Sequence, residues 1–318
     1  MAKKYTNTGN KDTRSGFGAG LLEAGRKNPD VVALTADLIG SVKMDAFVKE
    51  FPERFIQCGI AEANMIGTAA GLAITGKVPF AGSFAEFVTG RVYDQIRQEV
   101  AYGHTNVKIA SSHAGITLGE DGATHQTMED IALMRALPGM VVLNPCDYNQ
   151  CKAATIAAAE YEGPVYLRFG RPSMPNFTAE DQVFEIGKAI LMNEGKDVTI
   201  FATGHLVWEA VNAAELLEAE DVSAEVIDIA TIKPLDVEAV VASAKKTGAV
   251  VCAEEHNMCG GLGELIAGVL AANAPTPVEY VNGGDRVGQS GTTAELLQAY
   301  SMNAASIAEA AKRAVDRK

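Results

Sequence analysis

Short β-branched runs alternate with alanine-rich stretches of helical composition along almost the whole chain. Strands separated by helices imply a largely parallel sheet covered by helices on both faces. Residues 31–35, 55–58, 107–111, 140–144 and 164–169 read as strands. Residues 61–74, 126–134 and 149–160 read as helices, the first stopped by Gly76. The alternation breaks between Arg171 and Val183, where two prolines, an asparagine and acidic residues make a linker. It then restarts, with strands at 197–202, 224–229, 249–253 and 278–281 and helices at 207–218, 237–245, 292–300 and 304–315. Gly260-Gly261-Leu262-Gly263 opens a further helix. The expected fold is α/β with two domains, residues 1–183 and 184–318, and the 318 residues suit two units of ~150 each.

Charge and cysteine usage narrow the function. A formal net charge of −13 argues against general phosphate-backbone binding, so no nucleic-acid partner is expected. Local arginines can still bind a small anion on an acidic protein. None of the five cysteines belongs to a Cys-x-x-Cys pair, which favours free thiols in a reducing cytoplasm. Residues 1–10 are polar, with Lys3 and Lys4, and do not read as a secretory signal. No stretch approaches the ~20 apolar residues of a membrane span.

Four segments carry candidate chemistry, three of them beside strand ends. In Cys58-Gly59-Ile60-Ala61-Glu62-Ala63-Asn64 a carboxylate sits in the first turn of a helix, which the helix dipole alone would favour. In Ser83-Phe84-Ala85-Glu86-Phe87 two aromatics three apart suit one face of a helical turn, and such pairs are most often core. The run from His113 to Gln126, with Leu118-Gly119-Glu120-Asp121-Gly122-Ala123-Thr124-His125-Gln126 at its centre, holds two of the five histidines, an Asp and a Glu on a glycine-rich loop. Such a loop after a strand is where α/β sheets bind ligands. It is also compatible with an Asx-type turn bearing solvated histidines, while His113, Asp121 and His125 match no standard zinc spacing and no metal site is assigned. In Arg168-Phe169-Gly170-Arg171-Pro172 an arginine past a strand can fork onto phosphate or simply face solvent.

The order and spacing of these segments resemble the pyrimidine-binding domain of transketolase-type thiamine enzymes, followed by the family's C-terminal domain. The Leu-Gly-Glu-Asp-Gly-x-Thr-His-Gln run is the most specific part; the Gly-Ile-x-Glu step is shared with other thiamine enzymes. The resemblance implies that Glu62 hydrogen-bonds N1′ of the aminopyrimidine of thiamine diphosphate. It implies that Phe84 and Phe87 pack on that ring and that Asp37 lies near the cofactor. It further implies that Arg14, Ser41, His113 and Arg171 bind the sugar phosphate, and that Asp121 and His125 bind substrate hydroxyls and assist proton transfer. Glu62, His113, Asp121 and His125 are thus the candidate catalytic set.

Two departures bear on the ring contacts: Ala61 stands where full-length transketolases usually place an arginine, and Gly90 where many have a tyrosine. No Gly-Asp-Gly run of the kind that binds Mg²⁺ and diphosphate occurs. The resemblance therefore implies an N-terminal transketolase subunit as partner, two of each chain, holding Mg²⁺ and the diphosphate while this chain holds the pyrimidine end. The reaction implied is transfer of a two-carbon ketol unit from a ketose phosphate to an aldose phosphate. A 1-deoxyxylulose-5-phosphate synthase normally has arginine where His113 stands, and the beta subunit of a 2-oxoacid dehydrogenase normally lacks the His113, Asp121, His125 set. A non-catalytic scaffold would have no need of Glu62 beside two phosphate-type arginines.

Overall fold

The computed structural model describes residues 4–318. Its first sheet has seven strands, in the spatial order Thr231–Lys233, Val141–Leu143, Val165–Arg168, Lys108–Ser112, Val78–Phe84, Val31–Thr35 and Phe55–Gln57. All neighbours are parallel except the first pair. Every residue of Val31–Thr35, Lys108–Ser112 and Val165–Arg168 is buried, as strands covered on both faces must be. Helices supply the cover. Thr13–Lys27 lies against Tyr148–Glu160 so closely that a Cβ on Gly16 would stand 2.3 Å from the Tyr148 carbonyl oxygen.

That glycine-rich first helix is not legible from propensity, because glycine costs up to ~1 kcal/mol per helical position. Two things form it: the Asp12 carboxylate caps the Ser15 N–H at 2.9 Å, and the glycines allow the close helix contact. Strand Val78–Phe84 is likewise absent from the sequence reading. Phe84 ends that strand and Phe87 follows in a turn, so the pair does not ride on a helical turn as expected. The helix expected over 126–134 is shorter, Asp130–Arg135, because Gln126 is committed to loop hydrogen bonds.

The second sheet runs Val278–Val281, Val250–Ala253, Val198–Ala202, Ala224–Asp228 and Ile190–Asn193, with only the last strand antiparallel. Thr231–Lys233 comes from this half of the sequence yet closes the edge of the first sheet by pairing with Val141–Leu143. One continuous core joins the halves: Met134, Val142 and Tyr166 cluster with Phe201, Ile229 and Ile232. No helix among the described residues is long and apolar enough to cross a membrane. The parallel register sets Phe84 beside Ser112 and Ser111 beside Arg168, so the carboxyl ends of the central strands share one edge. Ligands of open α/β sheets bind at that edge.

Candidate active site

Glu62 begins helix Glu62–Ile74 and is only 4% exposed. Its N-cap, Ala61, offers no side-chain cap, and the unpaired amides of the first turn favour a carboxylate there. Arg91 Nη1 donates to both Glu62 carboxylate oxygens at 3.2 Å, and the same guanidinium lies 4.1 Å from the centroid of the Phe87 ring. Phe87 stacks on Phe84 at 5.6 Å with an interplanar angle of 18°. A flat, N–H-donating cation thus stacks on an aromatic face while bonding a buried carboxylate. An aminopyrimidine asks for that same pair of contacts, so the residues present fit it.

Phe84 carries the site toward the loop that follows strand Lys108–Ser112. The His113 ring stacks on it at 3.7 Å, and His125 meets Phe84 and Phe87 edge-on at 6.3 and 5.4 Å. His113 takes a positive φ of 61°, and its Nδ1 is 2.7 Å from Ser112 Oγ. Burial, reinforced by Arg14, Arg171 and His125, pushes its pKa down from 6.5 to about 3. His113 is therefore a neutral imidazole near pH 7. An unfolded chain takes up this proton below pH 6.5 and the folded chain only near about 3, so this group destabilises the fold as pH falls across that window. Proton NMR of the His113 ring is expected to show no titration above pH 5; a midpoint near 6 would contradict the neutral assignment.

Two arginines lie near enough to His113 and to each other for their charges to be felt. Arg14 Nη1 donates to the Ser41 carbonyl at 3.0 Å, and its Nε is 3.4 Å from Asp12 Oδ1. Burial lowers the Arg14 pKa, with Asp12 opposing and the charge of Arg171 adding to the shift. Arg171 Nη1 bonds the Leu118 carbonyl at 2.9 Å and Glu120 Oε2 at 3.1 Å, and lies 4.0 Å from Asp121 Oδ1. The structure therefore gathers Glu62, Phe84, Phe87, His113 and His125 through ring and ion-pair contacts. Arg14 and Arg171 lie near enough to His113 to lower its pKa, and Asp121 is reached through Arg171. Ser41 takes part through its carbonyl. Asp37 is exposed at φ 61°, its amide donating to Gln57 Oε1 at 2.8 Å, and no hydrogen bond or ion pair among the described residues joins it to the others.

Sequence reasoning passed over Arg91, although its position four residues after Phe87 is a spacing at which an arginine can reach an aromatic face. Arg168, unlike Arg171, neither faces solvent nor is free to bind phosphate. Arg168 is 2% exposed; its Nε bonds Asp130 Oδ2 at 2.7 Å and its Nη2 the Glu255 carbonyl at 2.9 Å. Tyr166 donates to the same Asp130 oxygen at 2.7 Å. In the glycine turn at Gly260–Gly263 the Leu262 and Gly263 amides are taken up by Glu254, which accepts from them at 2.6 and 2.8 Å. Among the described residues no three His, Cys, Asp or Glu side chains converge as a metal site requires.

Residues 10–176 match the transketolase pyrimidine binding domain, and residues 187–307 match the transketolase C-terminal domain. The chain belongs to the transketolase family. It is 47% identical over 302 residues to a putative transketolase C-terminal section of Methanocaldococcus jannaschii, covering 94% of this chain and 95% of that protein. It is 45% identical over 298 residues to the 6-deoxy-6-sulfo-D-fructose transketolase subunit SqwH of Clostridium sp. (strain MSTE9), covering 94% and 92%. A solved split gene transketolase, described as an inactive beta4 tetramer, superposes with a TM-score of 0.89 at 46% identity, covering 97% of this chain and 99% of that one. The chain thus corresponds over nearly its whole length to C-terminal sections of split transketolases.

Proposed function

We propose that this chain is the pyrimidine-side subunit of a thiamine-diphosphate-dependent transketolase. It works with a separate N-terminal subunit, two of each chain, that holds the diphosphate and Mg²⁺. The complex transfers a two-carbon ketol unit between sugar phosphates in the cytoplasm. The observation that carries this reading is the coincidence of a buried carboxylate, Glu62, with a stacked aromatic pair and a shared planar donor, Arg91. When bound, the cofactor supplies a carbon nucleophile and an electron sink for carbon–carbon bond cleavage.

The chain's own residues divide the remaining work. Glu62 holds a proton at N1′ of the aminopyrimidine. Phe84 and Phe87 fix the ring plane and exclude water. Asp37 lies on the loop after a neighbouring strand, on the cofactor side. His113, held neutral, can donate or accept a hydrogen bond to substrate without carrying charge. Asp121 and His125 read substrate hydroxyls, and a site that binds a hydroxyl rejects analogues lacking it. Arg14 and Arg171, with Ser41 whose carbonyl accepts from Arg14, receive the anionic end of the sugar.

Partner dependence has two supports. The chain covers 95% of a relative named as a transketolase C-terminal section, and the solved relative assembled from one kind of chain is described as inactive. A second reading of the substrate also has a specific observation behind it. One relative is named for a sulfonated fructose, and a pair of arginines suits a sulfonate as well as a phosphate.

The test is a coupled ketol-transfer assay with thiamine diphosphate and Mg²⁺, using the chain alone and then with its co-expressed N-terminal partner. Xylulose 5-phosphate and 6-deoxy-6-sulfofructose serve as alternative donors. Activity only with the partner supports the split enzyme, and the preferred donor decides the anion. Activity of the chain alone overturns partner dependence, and no activity with either donor overturns the ketol-transfer assignment. In the complex, Phe84→Ala is expected to weaken cofactor binding by ~1–3 kcal/mol, by analogy with base–aromatic stacking. Unchanged affinity by calorimetric titration would mean that the ring packs elsewhere.

A further inference from the structure

The loop that carries Asp121 and His125 is held from the far half of the chain. Gln126 is 5% exposed, and its Nε2 donates to the carbonyls of Ile116 at 2.9 Å, Gly119 at 3.3 Å and Gln289 at 3.0 Å. Three carbonyl oxygens around one nitrogen fix the orientation of the amide. Two of them belong to the loop itself and the third to the segment that precedes helix Thr293–Ala299. That segment follows the loop closely. A Cβ on Gly122 would lie 2.5 Å from Ser290 Oγ, and one on Gly119 would lie 3.4 Å from the Gly291 carbonyl oxygen. Thr293 Oγ1 donates to the Thr117 carbonyl at 3.3 Å, and Glu255 Oε1 accepts from the Thr117 amide at 2.5 Å.

We infer that residues 288–293 form a clasp that holds loop 116–126 in the conformation presenting Asp121 and His125, with Gln126 as its positioning residue. The second domain thereby acts on substrate recognition without placing a side chain against the ring stack. The physical case is one of ordering. Between Leu118 and His125 the loop has glycines at positive φ, 96° at Gly119 and 75° at Gly122, and exposed side chains at Glu120 and Asp121. Such a segment opens easily unless tied down. Besides the Arg171 bond to the Leu118 carbonyl, the loop is tied through Gln126 and Thr117, each of which has a partner beyond residue 250. A hydroxyl-reading pair on an untethered loop would pay the ordering entropy each time it bound a sugar.

The inference rests on the reading of Asp121 and His125 as substrate contacts, and two readouts separate the two ideas. The first needs no activity: hydrogen–deuterium exchange of amides 119–125 in the full chain. Gln126→Met keeps the volume but removes all three donations. Gly288→Ala puts a Cβ 2.0 Å from Gln126 Oε1 and so disturbs the same contact from the other domain. In both variants exchange over 119–125 is expected to rise by about tenfold or more, while exchange in strand Val31–Thr35 stays unchanged.

The second readout is kinetic, in the complex with the N-terminal subunit. KM for the sugars is expected to rise about tenfold with kcat changed less than about threefold, as for loss of uniform binding. The cofactor dissociation constant should hold. Unchanged loop exchange in a folded Gln126→Met or Gly288→Ala chain overturns the clasp, as does cofactor affinity falling in step with KM. Should Asp121→Asn and His125→Ala leave KM unmoved while loop exchange still rises in the clasp variants, the clasp stands and the substrate assignment of those two residues falls.

Discussion

Glu62→Gln, assayed with the N-terminal subunit present, is expected to lower turnover by ~10²–10⁴-fold, the range for loss of a positioned acid–base group. The fold should barely respond. Glu62 stands in the first turn of helix Glu62–Ile74 and donates nothing, so the amide costs the ion pair with Arg91 and part of a dipole interaction of ~0.3–1 kcal/mol. What the amide cannot do is accept and hold a proton at the ring nitrogen in front of it. Arg91 sharpens the test, because its guanidinium has a second contact, over the Phe87 ring, that does not involve residue 62. A melting temperature shifted by several degrees alongside the activity loss would indicate structural damage. Turnover within about threefold of the parent would remove Glu62 from proton handling altogether.

Arg168→Met is expected to be the most damaging single change to stability, costing ~3–5 kcal/mol, because removing one member of a buried ion pair leaves the other charged and unpaired. Asp130 is fully buried, its Oδ2 shared by Arg168 and Tyr166, and its Oδ1 has no hydrogen-bond partner among the described residues. Burial opposes the Arg168 charge, yet Asp130 and Glu255 hold the guanidinium pKa above its ordinary value. The guanidinium therefore keeps its charge in a dry environment. Asp130→Asn combined with Arg168→Met should recover part of the loss, since neither charge is then stranded, and denaturant unfolding of the four proteins gives the coupling directly. Additive effects of the two single changes would mean that the ion pair contributes no coupling. The location matters for function, because Arg168 ties strand Val165–Arg168 to the Glu255 carbonyl just behind the loop that carries His113.

Candidate residues were legible in the sequence where the chemistry is local. The glycine-rich run from His113 to Gln126 had to be a loop, since glycines and paired titratable groups suit neither helix nor strand interior. Glu62 was legible because a glutamate after a strand and a glycine turn reads as a helix start. Arg91 was not, because its meaning depends on Phe87 and Glu62 meeting it in space, and Glu62 is on another helix. The role of Arg168 was not legible for the same reason. In sequence it is one arginine beside another, and only the packing of Asp130 and Glu255 around it separates the buried structural cation from Arg171, which reaches the loop. Helix Thr13–Lys27 was missed because its glycines lower local propensity while serving a close contact with Tyr148–Glu160.

By itself the sequence determined the α/β class, the restart of alternation after the linker and the acidic balance that disfavours nucleic acid. It also determined the set of polar residues at strand ends. These follow from periodicity and composition, which depend on neighbours within a few residues. Only the tertiary structure decided that His113 and Phe87 stack on Phe84 with His125 edge-on to the phenylalanines, and that Thr231–Lys233 crosses over to close the first sheet. It alone decided that Gln126 is held by Gln289 from the opposite end of the chain. Those facts rest on contacts between residues scores of positions apart, whose pairing is set by the packing of one shared core and leaves no local signature.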